Sequence, residues 1–435
     1  MKVTFKANGG KIGSKTSKSK TVVKGKKVGA LPTAKRSGYT FKGWYTKKSG
    51  GKKITKTTKV TKNTTYWAHW KKLVPGTVWA WGYNKNGQLG DGTGTDRYTP
   101  VQVSGLTDVT AISGGGATGY ALKSDGTVWA WGSNLFGGLG DGTTTDRYTP
   151  VRVSGLTNIT AISSGYHSVY ALKSDGTVWA WGYNGSGGLG DGILNDGYTP
   201  VRVSGLTDVT AISAGHDSGY ALKKDGTVWA WGWNYEGQLG DGTTTDRYTP
   251  VRVSGLTDVT AISGGGYSGY ALKSDGTVWA WGYNRYGQLG DGLTAHSDCY
   301  GRDCSLLPVQ VSGLTSVTAI SGGDVSGYAL KSDGTVWAWG YNNWYGQLGD
   351  GTKTHRYTPV RVSGLTNVTA ISGGDYSGYA LKSDGTVWAW GDNLFGGLGD
   401  GTKTDRYTPV QVSGLTNITA ISGGGYSGYA LQGGS

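Results

Sequence analysis

Residues able to do acid–base, nucleophilic or metal chemistry are few in this 435-residue chain. The five histidines, His69, His167, His216, His296 and His355, fall at unrelated positions and show no metal-ligand spacing. Glu236 is the only glutamate. A single loop carboxylate suits contact with a partner better than acid–base work without a second group beside it. Cys299 and Cys304 lie five apart in DCYGRDC, which suits a small disulfide loop or two inert thiols and offers too few ligands for zinc. DGTTTD has the composition of a calcium loop without its ligand spacing. G-x-x-G-x-G leads into no helix whose N-terminus could hold a phosphate. There is no nucleophile elbow and no acid–base pair. The sequence therefore predicts no catalytic residue, no cofactor and no metal, and points to binding.

A repeat would position the binding residues. GTVWAWG begins at Gly76, Gly126, Gly176, Gly226, Gly276, Gly334 and Gly385, at spacings of 50, 50, 50, 50, 58 and 51. A period near fifty, built of strand-like units with no helical periodicity, predicts an all-β, seven-bladed propeller. The second copy offers strands a (Thr127–Trp131), b (Val151–Val153), c (Ile159–Ile162) and d (Tyr170–Lys173). SGLTN between b and c and SDG between d and a are hairpin-sized. The roughly eighteen residues between a and b predict a crossing between blades, so a blade is expected to run b-c-d-a. The ring would then close with one N-terminal strand, Thr77–Trp81, and three C-terminal ones, leaving no open sheet edge.

Antiparallel order puts the a–b connections and c–d turns on one face, here called the top. The bottom turns, SGLTDV and KSDG in most copies, hardly change. The top a–b loops hold Leu135–Phe136, Tyr235–Glu236, Arg285–Tyr286, Trp344–Tyr345 and Leu394–Phe395, with Trp233 just before its loop. The top c–d turns add Tyr166, His167 and Tyr376. Exposed aromatics call for a partner, and Tyr, Trp, Gly, Ser and Asn on a rigid frame are a paratope-like set. These fourteen residues are the predicted ligand contacts. Drift of solvent-exposed loops and packing of aromatics between neighbouring loops are the competing accounts. The fixed letters read as structure. The two Trp of TVWAW share one strand face and would pack between blades, the LGDG glycines make turns, and the invariant Asn would hydrogen-bond local backbone.

The net charge of +14 hides a split. Residues 1–75 hold twenty Lys and one Arg with no Asp or Glu, which is +21. The rest carries 21 basic and 28 acidic residues, which is −7. The basic segment suits an anionic cell-wall or surface polymer, or simply a solvated lysine surface. The acidic body makes nucleic acid an improbable ligand for the ring. No run of eighteen apolar residues is present, so no transmembrane segment is expected. The start, MKVTFKANGG, has no apolar signal core.

G-x-N-x-x-G-Q-L-G-x-G, repeated over about residues 76–432, resembles the regulator of chromosome condensation (RCC1-type) repeat. The resemblance implies a seven-bladed propeller closed by the same three-plus-one sharing of strands. Residues 1–73, with VTFKANGG, PTAKRSGYTFKGWYT and YWAHW, resemble the Listeria–Bacteroides (internalin-type B) repeat, which implies a small β-grasp-like domain of a bacterial surface protein. The expected division is thus 1–73 and 74–435, with KKLVPG as linker. The expected function is recognition of a protein or glycan by the top face, outside the cell or on a bacterial surface. Guanine-nucleotide exchange with chromatin docking, and inhibition of an enzyme by a secreted propeller, are the alternatives that the RCC1-type resemblance implies.

Overall fold

Alternation along TVWAWG puts Val128 and Ala130 on one side of the strand and Trp129 and Trp131 on the other. Both sides are covered. Val128 and Ala130, with Tyr120 and Leu122, pack against Ala171 and Trp181 of the following blade. Trp131 and Ala121 pack against Val78, Ala80 and Tyr429 of the preceding one. A strand buried on both faces this way needs a neighbour on each side, which only a closed ring gives to every copy.

The computed structural model describes residues 1–36, 39–72, 76–294, 296, 299 and 301–433. The chain divides into two units, Met1–Val74 and Pro75–Ser435. The larger is the expected seven-bladed propeller, with seven four-stranded antiparallel sheets. In the first blade, Val109–Gly114 (c), Thr118–Lys123 (d), Val128–Gly132 (a) and Arg147–Arg152 (b) are hydrogen-bonded in that order. Strands b and d begin earlier than the sequence suggested.

The order within a blade corrects an expectation. It is c-d-a-b, not b-c-d-a, because the long a–b connection returns to its own sheet, with Ala130 opposite Val151. The passage between blades is the short SGLTD link. In it Asp108, Asn158, Asp208, Asp258, Ser316, Asn367 and Asn417 take positive φ of 56° to 63°, a left-handed conformation that Asn and Asp tolerate. The strands on either side of this link belong to different sheets, so it joins blades instead of closing a hairpin. Consequently the last blade takes Ile418–Gly423 and Ser427–Gln432 from the C-terminal part and Thr77–Gly82 and Arg97–Gln102 from the N-terminal part. Closure is two strands with two, not one with three. The assignment of top and bottom is unaffected, since both orders alternate strand direction alike.

The c strands surround a central channel, and one serine of each accepts an amide N–H from the next c strand. The acceptors are Ser113, Ser163, Ser213, Ser263, Ser321, Ser372 and Ser422, at 2.9–3.0 Å. A second ring lies further out. The carbonyl of Gly138 accepts from Tyr120 Oη of its own blade at 2.7 Å and from Trp181 Nε1 of the next at 2.8 Å. The same pair of donors meets on the equivalent carbonyl in every blade, ending with Tyr429 and Trp131 on Gln88.

In the smaller unit, Lys2–Lys6, Ser17–Thr21, Tyr39–Tyr45 and Thr64–Lys72 form one sheet, with the first strand between the second and fourth. First and fourth are parallel, as expected of a β-grasp-like sheet. Val3, Phe5, Trp44 and Tyr66 centre its core. No helix in the described residues is long and apolar enough to cross a membrane.

Candidate functional site

Each top loop hangs on the invariant Asn, which is fully buried. Asn134 Oδ1 accepts the Leu139 amide at 2.9 Å, and its Nδ2 faces Asp141 and the carbonyls of Thr143 and Thr145 at 3.0–3.2 Å. The LGDG aspartate finishes the frame: Asp141 accepts from the Thr143 amide and hydroxyl and pairs with Arg147 at 2.7 Å. Burial pushes that carboxyl up, but the Thr143 and Arg147 bonds overcome it and hold Asp141 below the usual carboxylate range. The calcium-like letters are therefore occupied by the protein's own donors.

At the loop tips the variable residues divide by position. The first faces solvent: Leu135 is 70% exposed, Trp344 65%, and Tyr235, Arg285 and Leu394 are also exposed. The second leans onto the next blade. Phe136 packs on Tyr183 at 5.0 Å, Tyr286 on Tyr341 at 4.9 Å, Tyr345 on Tyr376 at 5.4 Å and Phe395 on Tyr83 at 4.9 Å. Glu236 obeys the same rule. It is buried, and Arg302 of the next blade reaches it at 2.7 Å while also bonding Tyr235 Oη and covering that ring. The sole glutamate is thus paired internally instead of offered to a ligand. Arg302 belongs to the cysteine insertion, where Cys299 and Cys304 form a disulfide with Cα atoms 5.9 Å apart. Trp233 is half-buried against Tyr267 at 5.2 Å. The predicted contacts thus separate into exposed tips and an interlocked aromatic layer beneath them.

The c–d turns meet at the mouth of the channel, where Tyr166, His216, Asp324 and Asp375 stand among glycines around a cavity of about 110 Å³. Two histidines that look unrelated along the chain come together here. His167 Nδ1 lies 3.1 Å from one oxygen of Asp217 and His216 Nδ1 lies 3.0 Å from the other. Tyr166 stacks on His216 at 4.5 Å. Burial pushes Asp217 up, and the bonds from both histidines more than reverse this, holding it far below its ordinary value. Burial lowers His216, yet the Asp217 bond and charge leave it raised. Across the mouth, burial and then the neighbouring Asp324 charge push Asp375 up to about 8. Burial also raises Asp324, with His216 opposing. Sequence reasoning missed Asp217, Asp324, Asp375, Tyr267 and Tyr426. The signal was available, because the turn letters GYHS, GHDS, GGDV and GGDY are the only c–d turns bearing ionisable groups other than tyrosine.

Comparison with known proteins follows the two units. The Listeria–Bacteroides repeat domain profile matches residues 2–69. Human E3 ubiquitin-protein ligase HERC2 is 34% identical over 97 residues, 21% of this chain and 2% of that one. The chain therefore spans only a small part of that relative's length. Yeast RCC1 (Prp20), solved bound to Kap60, superposes with a TM-score of 0.74 at 21% identity, covering 83% of this chain and 90% of that one. Human WBSCR16 gives 0.72 at 22% identity, covering 82% and 99%. At those identities the superpositions show the fold. The RCC1-like domain profile matches residues 74–376 and 199–430, and with most of its length so matched, the chain belongs to the RCC1-like domain family.

Proposed function

We propose that this protein is a recognition protein whose propeller binds a protein partner through the exposed loop tips of its top face. The observation that carries this reading is the separation at those tips. Large side chains at Leu135, Tyr235, Trp344 and Leu394 stand in solvent on loops whose frames are fixed by the buried Asn and Asp–Arg network. Exposed apolar groups held on a rigid base are what a binding hot spot needs, because little side-chain order is lost on contact. The half-buried layer of Phe136, Tyr286, Tyr345 and Phe395 supports the tips. The similar yeast RCC1 (Prp20) was solved bound to another protein, Kap60.

The lysine-rich unit, with no acidic residue in residues 1–75, is read as a second site for an anionic surface polymer, in a protein that works outside the cell or on a bacterial surface. Such binding weakens as salt screens the charges. No catalytic role is proposed.

The test compares the full chain with Leu135→Ser, Tyr235→Ser, Trp344→Ser and Leu394→Ser combined, on arrayed cell-surface proteins and glycans. A protein bound by the parent and lost at least tenfold, about 1.4 kcal/mol, by the folded variant supports the reading. A glycan lost the same way replaces the partner class. Equal binding by both overturns the tip assignment.

A further inference from the structure

We infer that His167, His216 and Asp217 form a binding site for a divalent transition-metal ion, with Zn²⁺ the best match, at the seam between the second and third blades. The three come from adjacent c–d turns, and one ligand atom of each lies within 4.8 Å of the others. In a tetrahedral zinc site with bonds of about 2.0–2.1 Å, neighbouring ligand atoms sit roughly 3.3 Å apart. Each histidine nitrogen lies near that distance from a different oxygen of Asp217, His167 Nδ1 3.1 Å from Oδ1 and His216 Nδ1 3.0 Å from Oδ2. An ion entering there requires the Asp217 carboxylate to turn so that one oxygen serves the site beside both nitrogens. On binding, each ring presents an unprotonated Nδ1 to the ion and carries its single proton on Nε2, the Nδ1 proton passing to solvent from a charged ring or relocating to Nε2 in a neutral one.

Two imidazoles and one carboxylate are a borderline donor set, suited to zinc and poorly suited to calcium or magnesium, which prefer all-oxygen shells. Three protein ligands leave a fourth position for water or an incoming group. Packing against neighbouring rings orients both imidazoles. His216 lies between Tyr166 at 4.5 Å and Tyr267 at 5.4 Å, both nearly parallel to it. Phe136 meets His167 edge-on at 5.5 Å. His167 also borders a hollow of about 120 Å³ lined by Leu135, Phe136 and Val169, so a group held at the fourth position would have an apolar recess beside it. The other blades set the specificity of the claim. The same two turn positions hold Gly266 and Tyr267, Asp324 and Val325, or Asp375 and Tyr376, and among the described residues no other cluster of three such ligands is found.

The other blades also supply substitutions that keep the turn. His167→Tyr and His216→Gly install residues that equivalent turns carry, so the variant is expected to fold. The full chain would be titrated with Zn²⁺ against a chromophoric chelator, alongside that double variant and Asp217→Asn. Controls are His69→Gln and His355→Asp, the latter restoring the residue found at that loop position in five other copies. The expected result is one Zn²⁺ per chain, weakened at least tenfold in the cluster variants and unchanged in the controls. No uptake by the parent overturns the site, as does uptake that survives the double variant.

Discussion

The amide of Gly114 donates to Ser422 Oγ at 2.9 Å across 308 positions of sequence. The same bond joins Ala214 to Ser163 between two consecutive blades at 3.0 Å. The seam between the last blade and the first is thus chemically the same as an internal seam. Ser422→Ala and Ser163→Ala should each cost about 1 kcal/mol, the usual net worth of one such bond, measured by denaturant unfolding. A negligible cost at Ser422 beside a full cost at Ser163 would show that the last-to-first seam is looser than the internal ones.

Gly219 tests the Trp clamp. A Cβ there would fall inside the Trp231 indole, which is pinned by its bond to the Gly188 carbonyl at 3.0 Å. Gly219→Ala should therefore destabilise the ring by about 1–3 kcal/mol, the range for overpacked cores. Gly105→Ala, with open space around it but positive φ, should cost less. Thermal melts of the two variants side by side decide the matter, and equal losses would mean that the indole yields.

Two partly buried carboxylates should respond oppositely to pH. Asp375 is raised to about 8 by burial and by Asp324, so the native state holds its proton more tightly than the unfolded chain does. Its contribution is complete below the ordinary carboxylate value and is lost as pH rises toward about 8. Asp375→Asn should raise the melting temperature at about pH 9 and change little at about pH 4. For Asp241, burial is outweighed by bonds from Thr243 and Arg247, which lower it. Its contribution is present above the ordinary value and lost as pH falls through the folded one. Asp241→Asn should cost about 1.5–3 kcal/mol at neutral pH, shrinking in acid. The same sign of pH dependence in both variants would contradict the assignments.

The period, the blade count and the variable face were legible because they depend on local alternation and copy number. Blade order was not. SGLTD has the length of a hairpin, and only the pairing of b with a and of the next c with its own d shows that it leaves the sheet instead of closing it. The site was legible one loop at a time. Leu135 and Phe136 look alike in sequence, yet one is in solvent and the other lies on Tyr183. His167 and Asp217 look unrelated, yet they are neighbours. In both cases the partner sits about one repeat further along the chain, where inspection of a single repeat does not look.

Because each loop carbonyl is gripped by a Tyr from its own blade and a Trp from the next, any copy of the repeat presents its neighbour with the same socket. Copies are in that sense interchangeable cassettes. Recombination between near-identical repeats can exchange a tip such as Leu135 for one such as Trp344 without touching the joints that hold the ring. The architecture separates what must stay from what can be traded, and so gives a genome a cheap way to write new binding faces on an old frame.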